Sequence, residues 1–193
     1  VADLEGVIED GNVVLYPIFL DLSGRRCVVV GGGKVASRKA RKLLQARARV
    51  VVISPEIEAE LESVAVEVHR RPYGEGDLEG SYLAFAATDS REVNAAVARE
   101  GRERGIPVNV ADRPSDGDFA LPSTLRRGAL QVAVSTGGAS PALARRIKDK
   151  LEEVFEPEWA GVVDELHRNR RSGAKSDERL EGEVSRCLSR LSG

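Results

Sequence analysis

The chain has 193 residues, enough for one large domain or a medium domain with attachments, and enough to bury a substantial core. Its 29 Lys and Arg nearly balance 31 Asp and Glu, and the net charge of −2 gives no ground for nucleic-acid binding. Two cysteines, Cys27 and Cys187, make no disulfide framework, and no apolar run reaches the ~18 residues of a membrane helix. No signal peptide opens the chain, so a cytoplasmic protein is expected; it holds no Met and starts at Val1, so translation is expected to begin upstream.

Residues 27–30 are an apolar run bounded by Asp21 to Arg26 and by glycines, and read as a buried parallel strand. Residues 35–46 place Val35, Ala40, Leu43 and Leu44 near helical spacing with basic residues outside. Residues 50–53, 64–68 and 83–87 read as three more strands. Asp89 and Glu92 have the spacing of a capping box, so a helix is expected from Asp89, with Gly105 to end it and Pro107 beyond. Val108–Val110 is a fifth strand. Strands alternating with helices predict a parallel sheet covered on both faces, closing near Asp112. Residues 113–117, with Pro, Ser and Gly, read as a hinge.

Beyond the hinge, Leu130–Val134 is one more strand. Ser140-Pro141 then starts a helix, with a hydroxyl cap and Pro at N1, that runs to about Phe155. Ser172-Gly173 breaks the helical stretch that follows Pro157. Residues 177–191 are amphipathic through Leu180, Val184, Leu188 and Leu191. The fold class is α/β: a Rossmann-type parallel sheet over residues 1–113, a small α+β segment over 114–150 and a helical C-terminal module over 151–193.

Gly31-Gly32-Gly33-Lys34-Val35-Ala36 fits G-x-G-x-x-A directly between a predicted strand and a predicted helix, the context that makes this pattern informative. Gly31 permits a tight turn, Gly33 lets the backbone approach a pyrophosphate, and Ala36 lets helix and strand pack closely. The free N–H groups of the helix start then face the phosphates. The plainer reading is a glycine-rich turn without a nucleotide. Where NAD enzymes often carry an acid after the second strand, this chain has Ser54-Pro55 with Glu56 beyond, and no Arg follows to hold a 2′-phosphate, which favours NAD over NADP.

Ligands of open α/β sheets lie outside the carboxyl ends of the strands. Thr88-Asp89 and Ala111-Asp112-Arg113 leave two such ends. Asp112 reads equally as a general base near the redox centre or as a turn cap before Pro114. Asp89 reads as a cap. Ser135-Thr136-Gly137-Gly138-Ala139-Ser140-Pro141, followed by Arg145 and Arg146, reads equally as an anion site or as a capped strand-to-helix turn. His69 and His167 have no Cys or His neighbour, so no protein metal site is expected.

Tyr16-Pro17-Ile18-Phe19-Leu20, the run from Cys27 through Lys39, Ala86-Ala87-Thr88-Asp89, Val108 through Asp112, and Ala133 through Arg145 together resemble the siroheme synthase N-terminal family, in order and over roughly residues 14–155. The resemblance implies NAD-dependent oxidation of precorrin-2 to sirohydrochlorin, with Asp112 as the catalytic aspartate. It implies cofactor contacts at Gly31, Gly32, Gly33, Lys34, Val35, Ser54, Pro55 and Thr88. Substrate carboxylates would meet Arg113, Ser135, Thr136, Gly137, Gly138 and Arg145, with Arg126, Arg127 and Arg146 near. The resemblance also implies a homodimer through 114–150 and, in some members, ferrous iron as a second substrate held by the tetrapyrrole nitrogens. The chain ends at Gly193, so a stand-alone form without a fused methyltransferase domain is expected. The competing expectation is a non-catalytic nucleotide-sensing Rossmann module, which leaves Asp112 and the 135–145 segment without a role.

Overall fold

In the computed structural model, which describes residues 15–62, 67–173 and 178–189, the chain divides into two units, Leu15–Ala120 and the part from Leu121 onward. Five parallel strands make the first unit: β1 (Arg26–Val30), β2 (Arg49–Ile53), β3 (Glu67–His69), β4 (Leu83–Ala86) and β5 (Val108–Val110). Their order is β3-β2-β1-β4-β5. The chain winds outward from β1 to β3, then returns to the other side of β1, so the switch point lies between β1 and β4.

The valine-rich strands lack polar alternation because both faces are covered. Cys27 and Val29 of β1 join Val50, Val52, Leu83 and Phe85 under α1 (Lys34–Gln45). Val28 and Val30 join Val51, Ile53, Ala84 and Ala86 under α3 (Arg91–Arg104). Each helix turns a stripe inward: Ala36, Lys39, Ala40 and Leu43 on α1, and Asn94, Val97, Ala98 and Gly101 on α3. Buried polar side chains accompany both stripes, Ser37 and Lys39 on α1 and Asn94 and Glu100 on α3.

Several expectations are corrected. The cap of α3 is Ser90, whose hydroxyl accepts from Val93 N at 3.3 Å, and not Asp89. Thr88 and Asp89 are taken up by the turn that leaves β4, so the helix starts one residue later. Gly105 ends α3 in the left-handed conformation that the spacing predicts. A short helix, α2 (Ala59–Glu62), follows β2, and part of the expected 64–68 strand lies outside the described residues; β3 is Glu67–His69.

Residues 113–117 fall inside the first unit, whose boundary lies after Ala120. Pro114–Asp116 form a 3-10 turn, and the chain then runs back beside the edge strand β5. Asp118 N donates to Val108 O and Val108 N donates to the Asp118 carboxylate, both at 2.8 Å. The exposed edge of β5 is thereby closed.

In the second unit β6 (Ser123–Arg127) and β7 (Leu130–Val134) form an antiparallel hairpin, followed by α4 (Pro141–Val154), α5 (Trp159–Ser172) and α6 (Glu178–Ser189). Strand β6 goes unannounced by its sequence, because Leu125 is its only buried residue. Trp159, Val162, Leu180 and Cys187 form the core of this unit. On α6 the inward line runs through Leu180, Val184 and Cys187; Leu188 is half exposed instead of inward, and Leu191 lies outside the described residues. No helix among the described residues is long and apolar enough to cross a membrane.

Candidate active site

Three adjacent strands deliver the first-unit residues to one level. Val30 pairs with Ala86, and Ala86 with Val110, so Gly31, Ala87 and Ala111 leave the sheet side by side. Gly31 has φ +123°, and a Cβ there would collide with the Ala87 carbonyl. A Cβ on Gly32 would collide with the carbonyl oxygen of Glu56. Gly33, the N-cap of α1, is different: a Cβ there meets nothing within 4 Å.

The first helical bond of α1 is Ser37 N to Gly33 O, so the N–H groups of Lys34, Val35 and Ala36 have no intrahelical acceptor. No side chain caps this end and no acid stands in its first turn. A glycine loop walled by backbone on two sides and open at Gly33 fits a dinucleotide pyrophosphate above these donors. Lys34 and Val35 are exposed at the same end.

Ser54 is buried, and its hydroxyl donates to Glu56 O at 2.7 Å. Its proton therefore braces the carbonyl against which Gly32 rests, and only its lone pairs remain for a ribose hydroxyl. Pro55 is exposed beside it.

Across the switch point, Thr88 and Asp112 are joined by a residue that sequence reasoning missed. The carboxamide of Asn94, only 1% exposed, takes Thr88 N at 3.2 Å and Thr88 Oγ1 at 2.8 Å on its oxygen. Its nitrogen donates to Thr88 O at 3.0 Å and to Asp112 Oδ1 at 2.7 Å. The signal was a polar side chain in the inward stripe of α3. Asp112 is exposed, and Arg113 beside it makes a long contact, 3.8 Å, with Asp116.

In the second unit, the loop between β7 and α4 is held by its own hydroxyls. Ser135 Oγ accepts from Gly137 N at 3.2 Å, and Thr136 Oγ1 accepts from Ser140 N at 3.1 Å. Ser140 Oγ caps α4 at Leu143 N, as its spacing with Pro141 predicts. Gly137 and Gly138 take left-handed φ values of +62° and +90° and stand exposed, with Arg145 exposed one turn into α4. Arg127 is engaged elsewhere: it donates to the carbonyls of Phe155 and Glu152 at the end of α4. Arg126 reaches Gln131 at 3.1 Å.

Fold and loop define a Rossmann-type dinucleotide-binding protein. A family model described as "Putative NAD(P)-binding" matches residues 18–123, and one described as "Sirohaem biosynthesis protein central" matches residues 127–153. The solved structure of the precorrin-2 dehydrogenase SirC superposes with a TM-score of 0.68 at 31% identity, over 88% of this chain and 87% of that one. The siroheme synthase of Nitrosomonas europaea is 45% identical over 144 residues, and that of Pseudomonas aeruginosa 48% over 140 residues. These matches take in 72% and 70% of this chain, which spans about 30% of the length of each of those curated relatives. The chain belongs to the NAD(P)-binding family of siroheme biosynthesis that includes the SirC dehydrogenase.

Proposed function

We propose that the protein oxidises precorrin-2 to sirohydrochlorin with NAD, and that Asp112 is the base. The observation that carries this reading is the Asp112 carboxylate, fixed by Asn94 at 2.7 Å at the carboxyl end of β5, one strand from Thr88 and two from the glycine loop. Family membership and the likeness to SirC support the substrate.

The reaction removes one hydride and one proton from the macrocycle. Bound NAD supplies the hydride acceptor. Gly31, Gly32 and Gly33 with the start of α1 would hold its pyrophosphate, and Thr88 would line the reacting end. Asp112 accepts the proton at the oxygen that Asn94 leaves free. Arg113, beside Asp112, takes a substrate carboxylate by a charge-assisted hydrogen bond, and in the second unit Arg145 with the 135–138 loop is a second proposed carboxylate-binding segment.

The protein acts in the cytoplasm as a homodimer. A two-stranded sheet alone is a marginal structure, which supports pairing of the β6–β7 and α4 region, within 114–150, with a second copy. Ferrous iron is the proposed second substrate: the same carboxylate would accept pyrrole protons while the tetrapyrrole nitrogens ligate the metal.

The test is incubation of the protein with precorrin-2 and NAD, following NADH absorbance. Turnover that falls ~10²–10⁴-fold in Asp112→Ala, with NAD binding retained, is expected. Nucleotide binding without turnover by the unaltered protein would favour the sensing module instead. Adding ferrous or cobaltous ion tests chelation: no acceleration over the uncatalysed control refutes it. Mass measurement in solution tests the dimer.

A further inference from the structure

The geometry points to Asn94 as a positioning residue, which selects the oxygen of Asp112 that takes the proton and ties that carboxylate to the Thr88 turn. The inference rests on the reading of Asp112 as the base. A carboxamide offers two N–H donors and an oxygen with two lone pairs. All four are engaged here: three partners belong to Thr88 and the fourth is Asp112 Oδ1.

The orientation of the amide is forced. Turned over, it would set its oxygen against the Asp112 carboxylate and its N–H groups against Thr88 N. Holding the turn after β4 requires only the three bonds to Thr88. The fourth bond crosses 18 residues of sequence to the end of another strand, so turn geometry alone does not explain it. At 1% exposure, the Asn94 amide itself is shielded from water.

Two consequences follow for the reaction. Asp112 Oδ1 is occupied by a donor, so Oδ2 is the oxygen that accepts the proton. The same amide grips both the N–H and the C=O of Thr88, so the wall of the nicotinamide site and the base keep a fixed spacing. A displacement of ~1 Å at such a site costs about 10²-fold in rate.

Asn94→Asp is the diagnostic variant. It keeps an acceptor toward Thr88 N and replaces the nitrogen that donates to Asp112 Oδ1 and to Thr88 O with a second oxygen. Turnover is expected to fall about 10²-fold, with KM for NAD within about twofold of the parent, the shift a positioning role allows. In the Asp112→Ala background the same substitution should cost much less than in the parent, the residual loss reporting only the broken bond to Thr88 O. The link is also read without turnover. In nitrogen-15 spectra of the free protein, Asp112→Ala should shift the side-chain amide resonances of Asn94.

Asn94→Asp with unchanged kcat, or with losses additive to those of Asp112→Ala, overturns the positioning role while leaving Asp112 as the base. Unchanged turnover in Asp112→Ala overturns the base, and this inference with it. Should Asn94→Asp not fold, the amide spectrum decides, because Asp112 is exposed and its alanine variant is expected to fold: unmoved Asn94 resonances sink the inference.

Discussion

Lys39 Nζ lies 2.6 Å from Asn109 Oδ1 in the interior of the nucleotide-binding unit. The ammonium also sits over the Phe85 ring, 5.3 Å from its centroid. Asn109 passes the contact on by donating to Phe119 O at 2.8 Å. The lysine thus links β5, and through it the segment that returns beside β5, to the helix that carries the glycine loop. No carboxylate is among these contacts. Burial, and then the charges of Arg38 and Lys42, push the Lys39 ammonium down to about 8.

That depression predicts a pH-dependent stability. Between about 8 and the ordinary 10.5, the unfolded lysine holds a proton that the folded one has lost. Stability therefore rises with pH across this window, and the benefit is lost as pH falls through 8. Lys39→Met removes the dependence. Urea midpoints at neutral pH and near the top of that window should show the parent gaining on the variant; a constant difference refutes the assignment.

The three loop glycines should separate stability from binding. Gly33→Ala adds a methyl where no protein atom stands within 4 Å, at a φ of −87° that alanine adopts freely. It should fold with its melting temperature nearly unchanged, yet bind NAD at least about tenfold more weakly, a loss of ~1.4 kcal/mol. Gly32→Ala drives its methyl into the Glu56 carbonyl and should lose stability as well. Calorimetric titration and thermal melts on both variants check this.

Glu100 is a second buried polar anchor, 3% exposed on α3. Its carboxylate accepts from Gly76 N at 3.1 Å, Leu78 N at 3.3 Å and Arg104 Nε at 2.9 Å, and from the hydroxyl of Tyr73. Glu100→Ala strands buried donors and should destabilise by ~3 kcal/mol, whereas Tyr73→Phe should lose only about 1 kcal/mol. Chemical denaturation measures both. NAD affinity should be unaltered in the tyrosine variant.

Two arginines near one another in sequence should behave differently. Arg127→Ala frees the carbonyls at the end of α4 and should lower stability by about 1 kcal/mol. Arg145→Ala, at an exposed position, should leave stability within ~0.5 kcal/mol and raise KM for precorrin-2 without changing KM for NAD. Equal effects of the two on KM would refute this division.

The parallel sheet was readable because a strand covered on both faces must be apolar throughout, as 27–30 and 50–53 are. The glycine loop was readable because two of its three glycines, Gly31 and Gly32, are compelled by backbone collisions. Strand β6 was not, since only Leu125 faces a core and its other residues are polar. The α3 cap slipped by one residue because Asp89 and Ser90 are both good caps, and the Thr88 turn decides between them. Asn94 and Lys39 escaped for a common reason. Each occupies an apolar-stripe position, where a polar side chain marks a buried network whose partners lie far off in sequence. The partners, Asp112 just beyond β5 and Asn109 on it, lie 18 and 70 residues away.

The collision between Gly32 and Glu56 bears on cofactor engineering. The loop after β2 is where a designer would graft residues to accept a 2′-phosphate. Here its main chain is the surface on which the glycine loop rests, with Ser54 as the brace and Glu58 N donating back to Gly32 O at 2.9 Å. A graft that moves the Glu56 carbonyl by an ångström would disturb phosphate binding before it altered ribose preference. Redesign of specificity must therefore keep the backbone of 54–58 and exchange only the side chains of Pro55 and Glu56, which are exposed.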